Sequence, residues 1–411
     1  MPQSILIKRN PVINGSTREL PSSKSLSNRA LIVNALSGNQ SVVSNLSAAR
    51  DTQLMQKLIN APDKIIDAMD AGTTMRFLTA YFAVTGKNKI LTGTDRMKQR
   101  PIKLLVDALR ELGASIDYLE KEGFPSTEIK GFDRQLTNSV TLPGDVSSQY
   151  ISALMMIAPN LPKGLTILLQ GKIGSRPYIE MTASLMREFG ASLEFKDNVI
   201  TVPHGNYKAA SYSVESDWSA ASYWFAIVAL AEKSEITLPV ISETSLQGDR
   251  VIVELMEKLG VKTSFANNAA VLSKQAHHTS LKWNFTDCPD LAQTALPVCA
   301  AKGIAGTFTG MESLRIKETD RIAALQTELG KIGAQLIEDS GVWKLIPSKD
   351  LKQQKLSVAT YHDHRMAMGF APLATLMDVE IESPEVVNKS YPGFWNDLKA
   401  VGFEVQSSER S

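Results

Sequence analysis

The sequence predicts an α/β fold in two domains, each assembled from three copies of a unit of about 70 residues. Three observations predict it. Five amphipathic helical stretches end in an apolar residue followed by glycine, at Gly113, Gly190, Gly260, Gly333 and Gly402, with separations of 77, 70, 73 and 69 residues. Nearly all-apolar helical stretches keep the same beat, opening near Ser27, Thr73, Ser148, Ser219, Asp290 and Asp363 at separations of 46, 75, 71, 71 and 73. The chain of 411 residues is 43% hydrophobic and 21% charged, which excludes disorder and supplies apolar material for more than one core.

Each element has a physical reason. The five glycines stand where a helix C-cap needs a left-handed residue. A helix apolar on every side is a buried helix. With strands such as GLTILLQG between them, the unit reads buried helix, strand, amphipathic helix, strand, strand. At the N-terminus, SILIKR is a strand without a unit. The first unit is short by about 25 residues, because its amphipathic helix DTQLMQKLIN runs through residues 61–64 almost directly into the second; its closing strand pair is missing. Units two to five are complete, and the sixth stops after one strand, FEVQ. Since strands need partners, SILIKR belongs to the sixth unit. The predicted domains are therefore 17–215, holding units one to three, and 1–16 plus 216–411, holding units four to six.

Charge and cysteine content narrow the function. Lys plus Arg total 44 against 43 Asp plus Glu, so the net +1 gives no global footprint for nucleic acid or an anionic membrane. Cys288 and Cys299 form neither a zinc pattern nor a disulfide framework, which points to a reducing compartment. No signal-peptide core and no apolar run of ~18 residues is seen, so the expected location is cytoplasmic. No exposed stripe demands a partner, and a monomer is the default.

Any anion must then be bound by local clustering. Parallel buried helices bring their partly positive N-termini to one face, each favouring an anion by ~0.3–1 kcal/mol. Their starts carry suitable groups: Lys24, Ser25 and Arg29; Gly72, Thr73 and Arg76; Ser147, Ser148 and Gln149; then Asp290, and Asp363, His364 and Arg365. Ser, Thr and Asp are also ordinary N-caps, and for one helix capping is the preferred reading. For several starts with basic residues attached, a site is. Further cations lie in TDRMKQRP (Arg96, Lys98, Arg100), LRIKETDR (Arg315, Lys317, Arg321) and VVNKSYP (Lys389), of which Lys98 and Arg315 are read as solvent-facing or structural.

With those motifs in hand, the chain resembles the 5-enolpyruvylshikimate-3-phosphate (EPSP) synthases, the 3-phosphoshikimate 1-carboxyvinyltransferases. LPSSKSLSNRA, DAGTTMR, RMKQRP, DVSSQY, SRPY, LQGD, PD, RIKETDR, DHRMAM and NKSYP occur in family order over nearly the whole length. The resemblance implies a two-domain inside-out α/β barrel of six βαβαββ-type units with the active site in the interdomain cleft. It also implies transfer of the enolpyruvyl group of phosphoenolpyruvate to the 5-hydroxyl of shikimate 3-phosphate, a step toward chorismate and the aromatic amino acids, without metal or cofactor. Glyphosate is the inhibitor associated with the family. By motif, Lys24, Ser25, Arg29, Ser147, Ser148, Gln149, Ser175, Tyr178, Asp290, Ser313 and Lys317 are expected at shikimate 3-phosphate. Lys24, Gly72, Arg96, Gln149, Arg321, Arg365 and Lys389 are expected at phosphoenolpyruvate. Asp290 is the expected base on the acceptor hydroxyl, with Lys24 and Glu318 the candidates for proton delivery. A carboxylate among so many cations has its pKa pulled down, so Asp290 is in part a positioning group.

Four positions depart from the pattern. The family's Gly-Asn-Ala-Gly-Thr reads Met69-Asp70-Ala71-Gly72-Thr73, and a carboxylate at Asp70 opposes the donor anion unless a neighbouring cation pairs with it. Ser22 replaces the usual glycine before the first Ser-Lys, and Ser313 stands where Asn is common. Three other functions belong to related folds, and one of them, RNA 3′-phosphate cyclase, needs nucleotide-binding features that the sequence does not show. UDP-N-acetylglucosamine enolpyruvyl transferases usually carry a catalytic cysteine, in some members an aspartate, on the loop before the donor-binding arginine; LTGTDRMKQRP has no cysteine, and SKSLSNR and SSQY fit a small phosphorylated acceptor. A non-catalytic relative of the same fold would not keep the charged positions of both halves.

Overall fold

The computed structural model describes residues 4–348, 351 and 354–408. It contains twelve α-helices among the described residues. In chain order they are α1 (Lys24–Leu36), α2 (Arg50–Ile59), α3 (Gly72–Val84), α4 (Lys103–Leu112), α5 (Ser148–Ile157), α6 (Arg176–Glu188), α7 (Trp218–Leu230), α8 (Ile252–Leu259), α9 (Ala292–Ala301), α10 (Arg321–Lys331), α11 (His364–Phe370) and α12 (Phe394–Ala400). Odd-numbered helices are the buried ones. In α7 every residue except Ser219 is buried, and in α11 all are. Even-numbered helices bury one face; α4 sinks Leu105, Val106, Ala108, Leu109 and Leu112 and leaves Lys103 and Asp107 outside. The five capping glycines all take positive φ, from 78° at Gly190 to 110° at Gly113.

Two compact units make up the chain, one continuous over Ser22–Val214 and one discontinuous over residues 1–21 and 215–411, whose extreme termini lie outside the described residues. Residues 17–21, which the sequence reading assigned with 22–215, go with the discontinuous unit: Leu20 packs in its core, and the Pro21 carbonyl accepts from the Asp217 amide. Each unit has its own apolar core, at ~1.5–3 kcal/mol per fully buried large side chain.

Among the described residues, five four-stranded sheets and one two-stranded sheet cover the helices. In the second unit's sheet, Ile65–Asp67 and Lys89–Thr92 run parallel because α3 connects them, and Thr127–Phe132 and Ala114–Tyr118 close it antiparallel. Ser4–Ile7 lies between Asp378–Glu382 and Val405–Ser408, inside the sixth unit's sheet. The small sheet belongs to the shortened first unit, whose Val42–Ser44 pairs, among the described residues, only with Ser211–Ser213. An exchange accompanies this. Val12–Ser16, which precedes α1, pairs parallel with Lys233–Pro239 behind α7, whereas Ser211–Ser213, which precedes α7, pairs behind α1. The chain changes unit at residues 21/22 and 214/215, so each strand just before a change stays with the unit it is leaving. The sequence reading did not single out residues 12–16 as a strand.

Candidate active site

In the continuous unit the helix starts gather the expected groups. Ser23 caps α1, its hydroxyl accepting from the Leu26 amide, and Lys24 is the first helical residue. The Lys24 ammonium is 3.2 Å from Asp51 Oδ2 in the first turn of α2. Arg29, one turn further, is only 2% exposed. Its Nε donates to Thr182 Oγ1 at 2.6 Å, Nη1 to the Ser25 carbonyl at 3.0 Å and Nη2 to Ser152 Oγ at 3.1 Å, and its guanidinium carbon lies 5.3 Å from the centroid of the Phe77 ring. Burial lowers its pKa to about 10. The expected phosphate ligand is thus also a tie joining α1 to α3, α5 and α6.

Gly72 opens α3, and the cap before it, Ala71, makes no side-chain hydrogen bond to the helix. A Cβ at Gly72 would lie 2.6 Å from Arg76 Nη1 and 2.7 Å from Arg100 Nη2, so two guanidinium groups close over this start. Arg76 Nη1 donates to the Gly72 carbonyl at 3.0 Å and to Gln149 Oε1 at 3.1 Å, and Gln149 Nε2 donates to Thr73 Oγ1 at 3.0 Å. Gln149 therefore joins the starts of α3 and α5. Ser147 caps α5 and is exposed, while Ser148 is buried. Ser175 adopts the left-handed region, φ 53°, at the cap of α6; it and Tyr178 are partly buried, as is Arg96.

In the discontinuous unit the predicted charges form one network. Asp290 lies in the 3-10 turn Pro289–Leu291 just before α9. Arg321 Nη1 donates to its Oδ1 at 2.9 Å, Arg365 Nη2 to its Oδ2 at 2.8 Å, and Lys317 stands 4.0 Å away. Arg321 also donates to Glu318 Oε2 at 2.9 Å and, through Nε, to Asp363 Oδ2 at 2.6 Å. Asp363 caps α11 by accepting from the Arg365 amide at 2.8 Å. Burial alone would raise the Asp290 carboxyl. Arg365, Lys317 and Arg321 outweigh it and hold Asp290 well below the usual carboxylate range, against an upward push from Glu318. Arg321 is also buried, which would lower it, but Asp363, Glu318 and Asp290 keep it above its ordinary value. Lys389 is buried in the turn Pro384–Lys389, and Ser313 is exposed.

Other partners carry no role in the sequence reading. Asp51 holds Lys24, and Thr182 and Ser152 hold Arg29. Arg365 reaches Tyr223 and Ser219 at 3.4 Å, and Ser219 Oγ donates to Asp249, the acid of LQGD. The signals were present as Ser219 at a helix opening and as the LQGD motif, but nothing along the chain says that they converge on Arg365. Lys98 pairs with Glu120 at 2.6 Å, and Arg315 pairs with Glu338 and Asp320.

Residues 56–398 match the EPSP synthase (3-phosphoshikimate 1-carboxyvinyltransferase) family. A 3-phosphoshikimate 1-carboxyvinyltransferase of Bacteroides fragilis strain YCH46 is 48% identical over 399 residues, covering 96% of this chain and 97% of the relative. One from Idiomarina loihiensis is 35% identical over 93% of this chain and 95% of its own. Among solved structures, an EPSP synthase from Acinetobacter baumannii aligns with TM-score 0.76 at 19% identity, over 99% of this chain and 100% of that one.

Proposed function

This chain belongs to the EPSP synthase family, and we propose that its two sets of charged helix starts serve one reaction, with the residue roles given below. The reaction is transfer of the enolpyruvyl group of phosphoenolpyruvate to the 5-hydroxyl of shikimate 3-phosphate, in the shikimate pathway. A bond forms between the acceptor's 5-oxygen and C2 of phosphoenolpyruvate as C3 gains a proton. The resulting tetrahedral ketal loses phosphate as C3 gives a proton back.

The observation that carries the assignment is Asp290 held between Arg321, at 2.9 Å, and Arg365, at 2.8 Å. A carboxylate so strongly paired is a poor base. An arriving anion offers both guanidinium groups a competing bidentate partner. As their donors turn to it, Asp290 rises toward its ordinary range and accepts from the acceptor hydroxyl. Arg321 and Arg365, with Lys24, Gly72, Arg96, Gln149 and Lys389, take phosphoenolpyruvate. Lys24, Ser25, Arg29, Ser147, Ser148, Gln149, Ser175, Tyr178, Asp290, Ser313 and Lys317 take shikimate 3-phosphate. Lys24, held by Asp51 at 3.2 Å, and Glu318, held by Arg321 at 2.9 Å, are the groups offered for proton delivery to C3. The same reading has the chain act as a cytoplasmic monomer; its two cysteines are free and buried.

A phosphate-release assay tests this reading. Release is expected only when phosphoenolpyruvate and shikimate 3-phosphate are both present. Turnover with UDP-N-acetylglucosamine instead would reassign the acceptor, and turnover with neither would leave a non-catalytic relative. Lys24→Met and Asp290→Ala are expected to lose at least a hundredfold in kcat with an unchanged circular dichroism spectrum, as removal of a general acid or base requires.

A further inference from the structure

Helix α10 grips the chain ahead of α11 at two places. Arg321 opens the helix and donates through Nε to Asp363 Oδ2 at 2.6 Å. Seven residues on, Glu328 has no exposed side-chain surface, and its Oε1 accepts from the Tyr361 hydroxyl at 2.8 Å. Thr327, beside it on the helix, is a second polar neighbour of that hydroxyl. A step of seven residues is about two turns, so Arg321 and Glu328 lie on one face of α10. A buried carboxylate persists when it is paired, and Lys331 lies 2.7 Å from Glu328 Oε2 while donating to the Ser357 carbonyl at 3.0 Å. Burial, then the hydrogen bond and charge of Glu328, push the Tyr361 hydroxyl up to about 12, so it remains a donor at neutral pH.

The segment gripped in this way has an unfavourable backbone. Tyr361 and His362 both take the left-handed region, φ 53° and 57°, which costs free energy for any residue with a Cβ. His362 is exposed, whereas Tyr361 is partly buried and reaches α10. Leaving the turn, the Asp363 amide donates to the Thr360 carbonyl at 2.8 Å, and Asp363 caps α11. Arg365 follows two residues later and donates to Asp290. We propose that Glu328 is a positioning residue for the donor site: through the Tyr361 hydroxyl it holds the left-handed turn that sets Asp363 between Arg321 and α11, and so fixes where Arg321 and Arg365 stand. The proposal rests on the enolpyruvyl-transfer reading above, in which Glu328 and Tyr361 touch no substrate. A loosened turn leaves the competent arrangement only partly populated, which weakens apparent donor affinity by that fraction; saturating donor selects the arrangement again and restores the rate.

Steady-state kinetics on wild type, Tyr361→Phe, Glu328→Gln, Glu328→Ala and Tyr361→Phe with Glu328→Ala test this, at a temperature where circular dichroism shows each protein folded. Tyr361→Phe removes one oxygen atom and is expected to raise KM for phosphoenolpyruvate about tenfold, as when the competent arrangement is populated about one-tenth of the time. Glu328→Ala should do the same. The double variant should be no worse than the poorer single one, because both act through one hydrogen bond. Glu328→Gln keeps an acceptor for the hydroxyl and should stay within about threefold of wild type. In all of them kcat, and KM for shikimate 3-phosphate, most of whose assigned contacts belong to the other unit, should stay within about threefold. With wild type active, an unchanged donor KM in Tyr361→Phe refutes the positioning role and leaves the reading of function standing. So does a parallel rise of both KM values, a fall in kcat alone, or a Glu328→Gln as impaired as Glu328→Ala. If wild type releases no phosphate, calorimetric titration with phosphoenolpyruvate in the presence of shikimate 3-phosphate decides. Absence of binding overturns the reading and the proposal together. Binding weakened about tenfold by Tyr361→Phe and kept by Glu328→Gln upholds the role, and binding indifferent to Tyr361→Phe refutes it.

Discussion

A methyl group on Gly72 has no room beside the Arg76 and Arg100 guanidinium groups, at 2.6 and 2.7 Å, but both obstacles are the far ends of flexible side chains. Gly72→Ala should therefore fold normally and bind donor worse. The expected result is about a tenfold rise in KM for phosphoenolpyruvate, the ~1.4 kcal/mol of a weakened charge-assisted contact, with Tm nearly unchanged. Asp249 makes a different prediction. Burial pushes its carboxyl up, Arg365 opposes, Asp290 adds to the push, and the pKa reaches about 6. An unfolded aspartate titrates near ~3.9. Between those values the folded state holds the extra proton, so this group's contribution to stability falls as pH rises from about 4 to about 6 and is flat above. Asp290 has the opposite sign, losing its contribution as pH falls through its depressed folded pKa. Asp249→Asn should accordingly gain stability relative to wild type between pH 4 and 6; urea midpoints for both proteins at pH 4, 5, 6 and 8 measure this. A difference independent of pH would show that Asp249 does not titrate in this range. The chain spelled out Asp290, Arg321 and Arg365 as candidates because motif and helix position agreed. It did not spell out Asp249 and Asp51 as their neighbours, because each reaches its partner from another element.

At the scale of elements, the capping glycines were legible because one residue type answers one backbone need. Gly113 has φ 110°, and a Cβ there would meet the Arg134 carbonyl at 2.3 Å. Gly113→Ala should cost about 1–3 kcal/mol from the strained conformation, and more from the clash. Gly330 is the control: it lies within α10 and a Cβ would meet nothing within 4 Å. Gly330→Ala should be neutral or stabilising by up to about 1 kcal/mol. Chemical denaturation of the two variants would separate a required glycine from a tolerated one. The alternation of buried and half-buried helices was equally readable, since a helix with no polar face has no surface to present. The short strands were harder to read. Val42–Ser44, Ser211–Ser213 and Val12–Ser16 carry little apolar pattern, and their pairing depends on which unit the chain is leaving.

For the whole molecule, the connectivity makes the two units unequal. Residues 22–214 are one uninterrupted stretch with its own core and sheets, so that fragment expressed alone should melt cooperatively. Residues 215–411 alone lack Ser4–Ile7, an internal strand of the sixth unit's sheet, and Val12–Ser16, the edge of the fourth unit's. That fragment should be poorly folded until residues 1–21 are joined to it or supplied as a peptide. Thermal melts followed by circular dichroism test both statements. Cooperative unfolding of 215–411 by itself would contradict the second.

The sequence by itself determined the α/β class, the repeat, the shortened first unit, the return of the first strand to the last sheet and the motifs of an enolpyruvyl transferase. Those properties follow from periodicity, burial preference and glycine conformation, which act over neighbouring residues. Only the tertiary structure decided the strand exchange around α1 and α7, the Arg29 tie across four helices and the charge partners. Asp290 has its depressed pKa because Arg365, Lys317 and Arg321 outweigh its burial, Arg365 and Arg321 reaching it across separations of 75 and 31 residues, and Asp70 pairs with Arg50 from 20 residues away. Electrostatic interaction depends on distance in space, and folding sets that distance.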